Sequence, residues 1–140
     1  MRSHPVVGLF LFLGACGGGG TLYTSLAATP AAGPEEVTNC ALAKLRSLNY
    51  QVTSYDQTDF RVTAHKADNE AHRADPQFKR NDDRLEIQAA PGADGKTSLT
   101  VLARTFAMLE THRGPTDEEE HASEAVKESA KAIVEACGHP

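Results

Sequence analysis

The stretch that decides the fold is RLEIQAAPGADGKTSLTVLARTF, residues 84–106. Leu85, Ile87 and Ala89 alternate with Arg84, Glu86 and Gln88, and further on Leu99, Val101 and Ala103 alternate with Leu102, Arg104 and Phe106. Period two marks strands with one face buried and the other turned to water. Pro91-Gly92-Ala93-Asp94-Gly95 between them is turn chemistry, so the two runs predict an antiparallel hairpin. Ala90 to Thr97 also fits a loose Walker A pattern, with Ala90 in the first glycine's place. That motif works only where a strand leads into a helix, because the phosphate sits on the helix N-terminus. Ser98 to Phe106 alternates as a strand, so the segment reads as a turn.

Working outward, the pattern repeats upstream. Tyr50, Val52 and Ser54 share one face of a strand, Asp56-Gln57-Thr58-Asp59 supplies a turn, and Phe60, Val62 and Ala64 alternate with Arg61, Thr63 and His65. Residues 67–82 are highly charged and lack an apolar period, which reads as a long polar loop. A helix flanks the strands on each side. Pro34 opens the first, with Glu35 and Glu36 at its positive dipole end. Val37, Cys40, Ala41, Leu45 and Leu48 form its apolar stripe, and Asn49 ends it. After the Gly114-Pro115 break, Thr116 and Glu119 form a capping box that predicts the start of the second helix. Ala122, Ala125, Val126, Ala130, Ile133 and Cys137 mark its buried side, and Gly138 closes it. The order α-β-β-β-β-α predicts an α+β two-layer sandwich over residues 34–140. Its four-stranded antiparallel sheet carries the N- and C-terminal helices on one face.

Length and charge bound the function. A chain of 140 residues suits one domain. With 14 Lys and Arg against 19 Asp and Glu, the formal charge of -5 lacks the positive stripe that nucleic-acid binding requires.

Residues 1–16 read MRSHPVVGLFLFLGAC. A polar start with Arg2 precedes an apolar run, Val6 to Leu13, that is too short to span a bilayer, which needs about 20 residues. This is the order of a signal peptide over residues 1–15. Leu13-Gly14-Ala15-Cys16 resembles the lipobox of bacterial lipoproteins. The resemblance implies cleavage before Cys16, a diacylglyceryl thioether on its sulfur and acylation (typically palmitate) of the new amine. More than one chain is needed because a single chain anchors only marginally, at ~0.8 kcal/mol per buried methylene. Gly17, where a sorting rule places Asp for inner-membrane retention, resembles the outer-membrane case. The implied location is therefore the outer membrane, facing the periplasm. Residues 16–33, rich in Gly, Ala, Thr and Ser, read as the lipidated Cys and a flexible tether with a reach of roughly 23 Å.

The chain has three cysteines. With Cys16 lipidated, Cys40 and Cys137 remain, one on the buried stripe of each helix, and an oxidising compartment predicts a disulfide between them. Its loop would stabilise the domain by at most about 4.6 kcal/mol in the chain-entropy model.

The candidate interaction face is the side of the sheet opposite the helices: Arg61, Thr63, His65, Glu86, Gln88, Leu102, Arg104 and Phe106, with Tyr55 as an aromatic anchor. No nucleophile elbow, metal spacing or cofactor motif is present in the sequence. Asp117-Glu118-Glu119-Glu120 reads as the acidic first turn of a helix rather than a cation site. The leading expectation is a non-catalytic envelope lipoprotein that binds another envelope protein. The alternative is a small exported enzyme or metal-binding protein using His65, His72, His112 or that acidic helix start.

Overall fold

The computed structural model describes residues 20–139, so the predicted signal peptide and Cys16 lie outside the described residues. The elements in chain order are β1 (Thr24–Ala28), α1 (Pro34–Ser47), β2 (Gln51–Asp56), β3 (Arg61–Asp68), β4 (Phe78–Pro91), β5 (Thr97–Thr111), β6 (Gly114–Glu120) and α2 (Glu124–Cys137). The fold is α+β, with two helices packed on a six-stranded antiparallel sheet.

The central hairpin is longer than its sequence period suggests. β4 and β5 pair from Pro91↔Thr97 out to Phe78↔Leu109. At the turn, Gly92 N–H donates to Lys96 O at 2.6 Å, and a Cβ on Gly92 would meet that oxygen at 2.5 Å. Gly95 takes a φ of 71°, which strains any other residue. The Ala90–Thr97 segment is thus a hairpin turn. Thr97 holds the incoming chain, with its N–H on Pro30 O at 3.0 Å and its hydroxyl on Ala32 O at 2.5 Å.

The sheet runs β1-β5-β4-β3-β2, and β6 also pairs β5. β1 lies along Leu99–Ala103 and β6 along Thr105–Thr111, so the two strands sit in line on one side of β5.

Four strands were expected and six are present, because both additions lack an apolar period. Thr24–Ala28, within the segment read as tether, is an edge strand held by β5, with Leu26 against the core. Its ladder comes from its partner, not from its own propensity. Residues 116–120, read as the start of a helix, form most of β6. Asp117 and Glu119 there meet Arg84 and Arg104 of the sheet. The helix starts later, at Ser123, whose hydroxyl accepts from Val126 N–H at 3.1 Å. The polar loop is also shorter than predicted, since β3 runs on to Asp68 and β4 begins at Phe78.

The core lies between the helices and one sheet face. Val37, Ala41 and Leu45 of α1 and Val126, Ala130 and Ile133 of α2 meet Val62, Leu85, Ile87, Ala89, Leu99, Val101 and Ala103. Buried alanines on both layers let helix and sheet approach closely. Asn49, at φ 64°, ends α1 as expected. Cys40 and Cys137 form the disulfide, with Cα atoms 5.8 Å apart, and tie the two helices together.

One carboxylate is buried on the helix side. Asp83 lies under the start of α2 and accepts from Thr105 Oγ1 at 2.5 Å and Ser123 Oγ at 3.0 Å. Thr105 Oγ1 in turn accepts from Ser123 N–H at 2.9 Å. The capping residue of α2 is thereby pinned to β4 and β5. Burial pushes the Asp83 carboxyl above its ordinary value, against the two hydroxyl donors, and Asp68 and Asp82 add to the rise.

Two outcomes are expected. Reduction, or the double substitution Cys40→Ala/Cys137→Ala, lowers unfolding free energy by about 2–5 kcal/mol in denaturant titrations. For Asp83, the folded state keeps a proton that the unfolded chain loses above 3.8. Stability therefore falls as pH rises from that value to the raised folded value, then levels. Asp83→Asn removes that part of the pH profile, as read from denaturant midpoints across a pH series.

Candidate functional site

The helices cover one face of the sheet and leave the other open. Alternation from Leu85 places Asp82, Arg84, Glu86 and Gln88 of β4 on the open side, beside Arg61, Thr63 and His65 of β3 and Leu102, Arg104 and Phe106 of β5. All of these except Arg61 and Gln88 line a concave surface of about 530 Å³, with Thr53, Arg80 and Met108 at its margins.

Its electrostatic centre is Arg84. This residue lies directly across from Arg104, an unfavourable like-charge pairing unless neutralised. Three acids neutralise the pair. Arg84 Nε donates to Asp82 Oδ2 at 2.9 Å and another guanidinium N–H donates to Asp117 Oδ2 at 2.8 Å. Arg104 Nε faces Glu119 Oε1 at 3.5 Å. Burial works against the Arg84 charge, but the bonds to Asp82 and Asp117 outweigh it and raise its pKa. Its guanidinium carbon also sits 3.9 Å from the Phe106 ring centroid, and that of Arg104 sits 5.6 Å from the Tyr23 centroid.

Asp82 is the best-buried charge here, with 8% of its side chain exposed. Besides Arg84 it meets His65 Nδ1 at 3.0 Å, and His65 Nε2 lies 3.3 Å from Gln51 Oε1. Thr63 joins Thr53 and Ser54 in a hydroxyl cluster at 3.1 and 3.0 Å. Arg61 reaches Gln88 Oε1 at 3.3 Å and Glu86 at 3.8 Å. The side chains make several separate polar clusters around an apolar centre of Leu102 and Phe106.

Eight of the nine residues expected on this face are therefore together, and Tyr55 is not. Tyr55 pairs with Val62 and packs against the core from the helix side, near Phe60. The cause is a bulge between Val52 and Ser54, which adds a residue and inverts the alternation beyond it. Tyr23, from the opposite edge, is the aromatic residue that borders the open face instead. Asp82, Arg84, Asp117 and Glu119 were not singled out for it. Extending the Leu85 alternation backwards would have placed Asp82 beside Arg84, whereas Asp117 and Glu119 were hidden by the helical reading of their segment.

His65 is on β3, His72 in the β3–β4 loop and His112 in the β5–β6 turn. Among the described residues no group of three His, Cys, Asp or Glu side chains is arranged to hold a metal ion. No helix there is long and apolar enough to cross a membrane. No protein-family model matches the chain, and no curated protein matches it.

Arg84→Met leaves Asp82 buried with His65 as its remaining side-chain partner and strips the stacking from Phe106. The expected loss is about 1–3 kcal/mol in chemical denaturation. Arg61→Met, which breaks an exposed pair, changes stability by less than about 0.5 kcal/mol.

Proposed function

We propose that this protein is a non-catalytic binding module of the bacterial cell envelope, moored through lipid on Cys16, that engages another envelope protein with the open face of its sheet. The observation that carries the reading is the concave, uncovered sheet face, on which an apolar centre is ringed by ordered charges. A rim of mutually paired side chains around apolar area is the make-up of a protein-binding surface. Arg104 Nε and Glu119 Oε1 face each other at 3.5 Å, both buried and without a hydrogen-bond partner among the described residues. The lipobox-like Leu13-Gly14-Ala15-Cys16 supports the anchor, and a disulfide is in keeping with an oxidising compartment. The favoured setting is the outer membrane, facing the periplasm.

The test places a photoreactive amino acid at Gln88 or Thr63 on the open face, and at Lys44 on α1, in living cells. Cross-linking to one discrete protein from the open-face positions, absent from Lys44, is the expected result. Equal cross-linking from both faces, or from Lys44 alone, contradicts the assignment of the face. For the anchor, Cys16→Ser is expected to abolish labelled-palmitate incorporation and to shift the protein from the membrane to the soluble fraction.

A further inference from the structure

We propose that the β1 edge of the domain rests on the bilayer, with Leu22 and Tyr23 set into the lipid interface. The inference builds on the reading of Cys16 as the lipid attachment site. Chain length supplies the first argument. Because β1 belongs to the sheet, the distance from anchor to folded domain is not the whole tether but the six residue steps from Cys16 to Leu22. Fully extended, that path spans at most about 21 Å, and as a glycine-rich coil its r.m.s. length is about 13 Å. The edge cannot move far from the headgroups.

The side chains at that point supply the second argument. Leu22 and Tyr23, 38% and 40% exposed, are the large hydrophobic residues left exposed among those described. They stand next to each other where the chain enters the sheet. Tyr is suited to such a boundary, with an apolar ring and a wet hydroxyl.

Beside them, β1 and α2 enclose a hollow of about 470 Å³ with Leu26 and Val134 in its lining and Lys127 and Lys131 at its sides. Their ammonium groups lie by carboxylates of the same helix, Lys127 at 2.8 Å from Glu124 and Lys131 at 3.8 Å from Glu135, and long lysine stems let such groups swing to lipid phosphates while the stems cover apolar surface. The neighbouring β6 is acidic, and three of its carboxylates are already paired: Asp117 with Arg84, Glu119 with Arg104 and Glu120 with Arg73. An acidic strand beside two lysines favours a zwitterionic surface over an anionic one. Two side chains bind lipid weakly, but a short tether presents the surface at millimolar effective concentration, so even a millimolar contact is well populated.

The chain contains no Trp, so Tyr23→Trp gives a single reporter. The full-length lipidated product, purified from host envelopes, is reconstituted into phosphatidylcholine vesicles with and without brominated acyl chains. Blue-shifted emission quenched at least twofold by bromine is expected, whereas Tyr55→Trp, towards the β2 edge, is unaffected. Equal quenching of the two reporters in protein that floats with the vesicles overturns the docking and leaves the anchor intact. Protein that does not float and has an unmodified Cys16 overturns the anchor and the docking together. In the unsubstituted chain, acetylation of Lys127 and Lys131 should slow at least threefold relative to Lys44 when detergent is replaced by vesicles. An unchanged ratio overturns the proposal without recourse to a variant.

Discussion

The ladder between β4 and β5 is the constraint on which the other elements depend. β5 is fifteen residues long and is bonded along most of its length to β4 on one side. On its other side it carries β1 and β6 end to end. Neither of those strands has a hydrophobic pattern able to hold it in place alone, and each borrows its order from β5. The helices use the same platform, since Leu99, Val101 and Ala103 of β5 lie in the core beneath them. The remaining strands attach outward from β4, through β3 to β2.

The two faces of this sheet treat charge in opposite ways. On the covered face a single buried carboxylate, Asp83, is kept by hydroxyl donors at the start of α2, where burial works against its ionisation. On the open face, charges are numerous and neutralise one another across strands, with Arg84 shared between Asp82 and Asp117. Such pairs contribute little to stability when well exposed, but they hold long side chains in defined positions. A surface so ordered presents a fixed pattern of donors and acceptors around its apolar middle.

How much of this was legible in the sequence depended on whether a residue faced the core. Leu85, Ile87, Leu99 and Val101 repeat with period two, and Val126, Ala130 and Ile133 at helical spacing, so the central strands and both helices were readable. So was the Cys40–Cys137 bridge, because each cysteine stood on a buried stripe. β1 and β6 were not readable, because an edge strand satisfies its backbone through its neighbour whatever its side chains are. Asp117 and Glu119 satisfied the rules for a helix start as well as those for a strand, and only long-range pairing with Arg84 and Arg104 decides between them. Tyr55 was placed on the wrong face by a one-residue bulge, a feature with no hydrophobic signature at Thr53. The open face itself was largely legible, as the complement of the buried positions.

The way β1 joins the sheet has a mechanical consequence. Tension on the chain ahead of Thr24 acts along the strand, parallel to β5, and the hydrogen bonds between the two strands lie across the line of pull. The whole of β1 is then loaded in shear, and its bonds must yield together instead of one at a time. Behind it, the segment leading to α1 is fastened to Thr97, and α1 is covalently tied to α2. A domain pulled by its N-terminus would thus transmit force into β5 and not peel open from its edge.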